Sequence, residues 1–154
     1  MKLDQILELA DKYKVQVIAL QETKLKNIHR LKAKGFYILR KDRNREDNGG
    51  GLAFLIRDIK YKEIHLNING THTELEIQGI KCFINATQHV NIVNIYHPPN
   101  NCHLPLDFET IFEANTIILG DPNALHTHWG CSTTNNRGTE LLELTDDKAF
   151  YVFK

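Results

Sequence analysis

The feature that most constrains this fold is a series of short apolar runs, each ended by glycine, proline or polar residues. Runs of this length are typical of buried β-strands. Residues 61–66 and 73–80 alternate between apolar and polar side chains, as antiparallel strands with one solvated face do. The pattern predicts a chain rich in β-strands. The apolar runs are residues 15–20, 52–56, 90–96 and 116–119.

Helical periodicity occurs mainly near the two ends of the sequence. Apolar residues at positions i, i+3, i+4 and i+7 predict an N-terminal helix with one buried face, namely Leu3, Ile6, Leu7 and Ala10. Residues 136–144 predict a second helix, and residues 107–114 a short one. A helix followed by a buried strand is half of a parallel crossover unit, whereas alternating segments predict hairpins. The mixture predicts an α/β sandwich with mixed sheets.

Composition limits the class of protein. The chain has 154 residues, of which 42% are hydrophobic and 25% charged. These values predict one globular domain over residues 1–154 and argue against intrinsic disorder. Lys and Arg together number 19, as do Asp and Glu, so the formal net charge is +0. Nucleic-acid binding by bulk positive charge alone is therefore excluded, although a local basic patch is not.

Cysteine placement and hydropathy predict the compartment. Cys82, Cys102 and Cys131 are scattered without a Cys-x-x-Cys pair, which argues against a disulfide framework or a zinc knuckle. The sequence opens on amphipathic residues rather than a signal peptide, and no run approaches the ~18 apolar residues of a membrane span. We therefore expect an intracellular protein of the nucleus or cytoplasm, neither secreted nor associated with a membrane.

Four polar residues stand at the C-terminal ends of apolar strands, where α/β sheets tend to place ligands: Glu22, Tyr96, Asp121 and Asn123. A carboxylate at such a position can bind Mg²⁺, and a second carboxylate can orient or deprotonate water. An amide and a phenol can donate to phosphate oxygens. Each residue taken alone is also explained as a solvated loop acid, a helix cap, an amphipathic strand end or a turn former.

Taken in order, the segments around these residues are far more specific. They resemble the endonuclease/exonuclease/phosphatase superfamily, which includes DNase I, and most closely the endonuclease domain of jockey-like non-LTR retrotransposons. In that branch a Trp-Gly and an Asn-Arg-Gly follow the aspartate motif, as Trp129-Gly130 and Asn136-Arg137-Gly138 do here. The other segments are residues 18–23 (Ile-Ala-Leu-Gln-Glu-Thr), 49–53 (Gly-Gly-Gly-Leu-Ala), 94–100 (Asn-Ile-Tyr-His-Pro-Pro-Asn) and 118–124 (Ile-Leu-Gly-Asp-Pro-Asn-Ala).

The resemblance implies a four-layer, DNase I-like sandwich and a role for each residue. It makes Glu22 the ligand of Mg²⁺ or Mn²⁺ and Tyr96 a phosphate contact. Asp121 orients or activates the attacking water, with Asn123 as its hydrogen-bonding partner near the scissile phosphate. The implied reaction is metal-assisted nicking of DNA, and the implied partner is a reverse-transcriptase domain in the parent element.

The sequence also departs from the family pattern. The family has an earlier strand that carries an asparagine near the metal, and later strands that carry a second aspartate and a Ser-Asp-His segment. We therefore expect a domain that lacks the first strand and the C-terminal strands, with impaired catalysis, because catalytic groups act as a unit. Pro122 occupies a position that is usually aromatic, and proline removes a backbone donor and fixes φ.

Two alternatives remain open. The first is a non-catalytic remnant that binds nucleic acid, or a transposon relic that binds nothing specific. The second keeps the fold and changes the substrate, because relatives in the superfamily hydrolyse phosphomonoesters.

Overall fold

The computed structural model describes residues 3–25, 31–43, 50–66, 68, 74–100 and 103–153. Within these ranges the main elements are α1 (Leu3–Lys12), β1 (Val17–Leu20), β2 (Tyr37–Lys41), β3 (Leu52–Ile56), β4 (Lys60–Ile64), β5 (Glu76–Phe83), β6 (His89–Tyr96), β7 (Thr116–Asp121) and α2 (Asn136–Asp147). Short 3₁₀ helices span Phe108–Ile111 and Thr127–Trp129. No helix in the described ranges has the length and apolar character needed to cross a membrane.

The first sheet has the strand order β1-β3-β2, and its strands are antiparallel. The central strand β3 is buried along its whole length, which explains its uninterrupted apolar sequence. α1 lies against this sheet: the Arg57 guanidinium donates to the Ala10 carbonyl at 2.6 Å and pairs with Asp11. Residues of α1 and β1 also line an open apolar groove with a volume of about 300 Å³.

The second sheet has the order β4-β5-β6-β7. β4, β5 and β6 form antiparallel hairpins, whereas β6 and β7 run parallel, so this sheet is mixed. The parallel pair is possible because the residues between β6 and β7 form a long connection that includes a 3₁₀ helix. The predicted α/β class with two sheets is confirmed.

The two sheets face each other, and the second sheet is apolar on both faces. One hydrophobic cluster lies between the sheets, and the other packs the outer face of the second sheet against α2. Adjacent residues Ile92 and Val93 belong to different clusters because successive side chains of a strand point to opposite faces. The inner cluster is Phe54, Ile56, Ile80, Cys82 and Ile92; the outer is Ile77, Val93, Ile95, Phe108 and Ile111.

Polar side chains connect the sheets near the ends of β1, β2 and β6. Asn94 is fully buried and donates to the Leu20 carbonyl at 3.0 Å, while its own oxygen accepts from Gln21 Nε2 at 2.7 Å. Lys41 Nζ donates to the Ile77 carbonyl at 2.8 Å. Because buried polar groups need partners, these bonds favour one relative placement of the sheets.

Several element boundaries differ from the sequence predictions. The helix predicted over residues 107–114 is reduced to the 3₁₀ helix Phe108–Ile111, because Phe112 already has ψ +62° and leaves the helical region. Residues 149–153, a further apolar run in the sequence, form no strand, and the side chains of Tyr151 and Phe153 are exposed. The predicted start of β5 at Thr73 lies outside the described residues.

Candidate active site

The Glu22 loop, residues 21–25, continues from the end of β1. Its backbone turns sharply, with left-handed φ values of +49° at Glu22 and +52° at Lys24. Two hydrogen bonds hold the turn: Thr23 N–H donates to the Gly51 carbonyl at 3.0 Å, and Lys24 N–H donates to the Gly50 carbonyl at 2.9 Å. The loop therefore takes its conformation from a glycine turn elsewhere in the chain.

That glycine turn precedes β3 and leaves no room for larger residues. Gly50 and Gly51 have φ values of +81° and +90°, which glycine adopts without steric cost. A Cβ at Gly51 would lie 2.7 Å from Thr23 Oγ1, and one at Gly50 would lie 2.1 Å from Glu76 Oε1. Gly49, the first glycine of the run, lies outside the described residues. Gly50 and Gly51 therefore form a close-packed turn that supports the Glu22 loop.

Tyr96 ends β6 and connects the two sheets. Its hydroxyl donates to the Glu22 carboxylate, and in the strand register it lies opposite Asp121 of β7. Burial raises the pKa of Tyr96 to about 12, and the hydrogen bond to Glu22, together with the charges of Glu22, Asp121 and Glu76, adds to this rise. Tyr96 is therefore protonated at neutral pH and acts as a hydrogen-bond donor.

The Asp121 loop, residues 122–126, follows the end of β7. The Asp121 carboxylate accepts from Asn123 N–H at 2.9 Å, and Asn123 has a left-handed φ of +50°, a combination typical of asparagine in turns. The Asn123 amide donates to the His97 carbonyl at 3.0 Å. These bonds fix Asp121 and Asn123 relative to the end of β6.

Arg137 of α2 joins this loop to the segment after β6. Its side chain is buried and donates to three backbone carbonyls: His97 at 3.2 Å, Pro98 at 2.8 Å and Pro122 at 2.7 Å. The Pro122 carbonyl is thus used even though its nitrogen cannot donate. A guanidinium suits this position because it presents several donors in one plane.

Asn135 and Gly138 complete the attachment of α2 to this loop. Asn135 caps α2 by accepting from Gly138 N–H at 2.8 Å, and its amide donates to the Asn123 carbonyl at 3.0 Å. A Cβ at Gly138 would lie 1.8 Å from the Leu125 carbonyl oxygen. Arg137 and Gly138 of the Asn-Arg-Gly segment, together with Asn135 before it, are therefore explained by a close contact between α2 and the Asp121 loop.

The structure brings all four predicted residues to one end of the two sheets. Glu22 follows the first sheet, whereas Tyr96, Asp121 and Asn123 end or follow strands of the second. Glu76, which begins β5 opposite Tyr96, belongs to the same end and was not identified from the sequence. A single acid in an alternating strand does not by itself predict a site residue. The position of Glu76 at the site becomes apparent only from its pairing with Tyr96 in the sheet.

The donor types at this end suit a hard divalent cation. Among the described residues, no group of three or more His, Cys, Asp or Glu side chains could hold a metal by protein ligands alone. Mg²⁺ is usually held by one or two carboxylates, with water and phosphate oxygens completing its shell. Glu22, with 45% of its side chain exposed, and the exposed Asp121 fit that requirement.

The facing sheets, the flanking helices and the acidic site at one end are together compatible with a DNase I-like sandwich. Residues 90–154 match the family described as Endonuclease-reverse transcriptase. The match includes Tyr96, Asp121, Asn123 and the whole of α2, and it confirms the resemblance to an endonuclease/exonuclease/phosphatase-type domain of a retrotransposon-like protein. No curated protein matches the sequence at a significant level.

Proposed function

We propose that this domain nicks DNA by metal-assisted hydrolysis of a phosphodiester bond. The observation that carries the proposal is the hydrogen bond between Tyr96 and Glu22, which joins the two sheets beside Asp121. The family match over residues 90–154 supports the same reading, because its description names an endonuclease associated with a reverse transcriptase. A reverse-transcriptase domain in the parent protein is the partner we propose.

Glu22 is the residue we propose to hold Mg²⁺ or Mn²⁺. One of its oxygens accepts from Tyr96 and the other lies 3.8 Å from Lys24 Nζ, so the carboxylate is oriented while half of the side chain stays open to solvent. A bound divalent cation supplies charge stabilisation at the phosphoryl oxygens.

The remaining roles follow from donor and acceptor chemistry. Tyr96 keeps its proton at neutral pH, because its pKa is raised to about 12, and donates to a phosphate oxygen or to Glu22. The exposed Asp121 carboxylate accepts a proton from water and orients it for attack. Asn123 keeps Asp121 in place, since its N–H donates to that carboxylate at 2.9 Å.

The test is a nicking assay on supercoiled plasmid in the presence of Mg²⁺. We expect Asp121→Asn and Glu22→Gln to lower the nicking rate roughly a hundredfold or more, because each removes a charged group from the reaction. The matched control is Glu63→Gln, an exposed acid on β4 away from the site, which leaves the rate unchanged. The assay also tests the sequence-based expectation that activity is impaired.

Other outcomes separate the alternatives. Salt-dependent DNA binding without any nicking overturns the hydrolase proposal in favour of a binding module. If the protein hydrolyses a small phosphomonoester but leaves the plasmid intact, the choice of substrate is overturned. Nicking that is equal in the Asp121→Asn variant and in the unaltered protein rejects the residue assignment.

A further inference from the structure

Glu76 occupies the junction between the glycine turn and the site. Its Oε2 accepts from Gly51 N–H at 2.6 Å, and its Oε1 lies 3.4 Å from Arg43 Nε. Only 13% of its side chain is exposed. A carboxylate this buried needs ionic and hydrogen-bonded partners, and it has both.

The turn that Glu76 holds is the support of the Glu22 loop. Gly51 N–H points to Glu76, while the Gly50 and Gly51 carbonyls accept the N–H groups of Lys24 and Thr23. One short turn thus donates a hydrogen bond to the Glu76 carboxylate of β5 and accepts two backbone hydrogen bonds from the loop.

The Glu22 loop depends on such outside support. A left-handed conformation is unfavourable for a residue with a Cβ, and both Glu22 and Lys24 adopt it. The backbone bonds from Thr23 and Lys24 to the glycine turn offset that cost. Any movement of the turn therefore reaches the Glu22 carboxylate directly.

We propose that Glu76 is a positioning residue, which fixes the Glu22 carboxylate by holding the Gly51 N–H of the glycine turn. It acts through the backbone and touches no reacting atom. Its effect on cation binding rests on the proposed function, whereas its effect on the loop does not.

The loop effect is measured by amide hydrogen exchange. In Glu76→Ala we expect the Thr23 and Lys24 amides to exchange about tenfold faster, while the amides of β6 keep their protection. Glu63→Ala, an exposed acid of β4, is the matched control and leaves both sets unchanged. Unchanged exchange at Thr23 and Lys24 overturns the proposal, and so does an equal acceleration throughout β5 and β6.

Glu76→Gln is the second variant and the one to use if the alanine variant does not fold. Its amide oxygen still accepts from Gly51, but a neutral acceptor forms a weaker bond than a carboxylate. We expect Thr23 and Lys24 exchange between that of the unaltered protein and that of the alanine variant, about threefold faster than the former. Exchange identical to the unaltered protein overturns the role of the charge.

Cation dependence gives an independent readout. In the nicking assay, Glu76→Gln is expected to raise the Mg²⁺ concentration for half-maximal rate about tenfold, because a mobile Glu22 binds the cation less tightly. If the unaltered protein does not nick DNA, the proposed function fails, and the exchange measurement still decides the role of Glu76. An unchanged Mg²⁺ dependence in an active protein rejects the link to Glu22.

Discussion

The Glu22 loop and the Asp121 loop meet at one site but are held by opposite charges. An anion, Glu76, secures the Glu22 loop by accepting a backbone N–H of the glycine turn. A cation, Arg137, secures the Asp121 loop by donating to backbone carbonyls. The first support comes from a strand and the second from a helix, so the two loops can be disturbed separately.

The supports of the two loops limit repulsion between the carboxylates of the site. The Asp121 loop is fixed by a buried guanidinium and by the neutral amide of Asn135, so no additional acid is needed there. The Glu22 loop does use an acid, but Arg43 pairs with Glu76. The supporting acid, Glu76, is therefore paired with a cation, and the exposed carboxylates of Glu22 and Asp121 stay available for ligands.

The largest effect is expected from Arg137→Met. The substitution leaves the carbonyls of His97, Pro98 and Pro122 without their charged donor, at a cost of roughly 3 to 4 kcal/mol in the free energy of unfolding. Urea denaturation measures this loss. Lys62→Met, at an exposed position of β4, is the control and changes stability little. A loss below about 1 kcal/mol rejects Arg137 as the support of the Asp121 loop.

Acid should destabilise the protein through His97, the residue whose carbonyl accepts from Asn123 and Arg137. Burial, and then the nearby Arg137, lower the pKa of His97 from 6.5 to about 4, although Glu74 opposes the change. A lowered pKa means that the stabilisation is complete above pH 6.5 and is lost as the pH falls toward 4. The expected loss is about 3 kcal/mol. Denaturation at several pH values checks this, and His97→Phe should flatten the curve; an equal slope in that variant contradicts the assignment.

Two glycines give the smallest and most closely matched test. Gly50 and Gly35 have φ values of +81° and +80°, but of the two only Gly50 would bring an added Cβ into overlap with other side chains, those of Glu76 and Arg43. In both alanine variants the left-handed backbone lowers the free energy of unfolding by about 1 kcal/mol, and the overlap in Gly50→Ala lowers it by about 1 kcal/mol more. Thermal denaturation of the pair provides the comparison, and equal losses would mean that the Glu76 contact is easily displaced.

The strands were better predicted from the sequence than the contacts that hold the Glu22 loop and the Asp121 loop. β3 was predicted at its observed bounds because an uninterrupted apolar run between glycines and an aspartate has few other solutions. The length of the short helix at residues 107–114 was overestimated. Its boundaries depend on the packing of Phe108 and Ile111 in the outer cluster, which local periodicity does not reveal.

The site was predictable where residues stand at strand ends, whereas two of the residues that support it, Glu76 and Asn135, were not identified from the sequence. Glu22, Tyr96 and Asp121 stand at strand ends, a position that a linear sequence displays. Glu76 and Asn135 act on backbone groups of distant segments. Such contacts join residues far apart in the chain, and no motif spacing records them.

Asn94 connects the packing of the interior to the geometry of the site. Its amide bonds to Leu20 and Gln21 of one sheet from β6 of the other, two residues before Tyr96. The distance between the sheets and the distance between Tyr96 and Glu22 are therefore set by the same contact. A substitution in the core that separates the sheets would therefore lengthen the hydrogen bond between Tyr96 and Glu22, so packing far from the site affects the geometry of the Glu22 carboxylate.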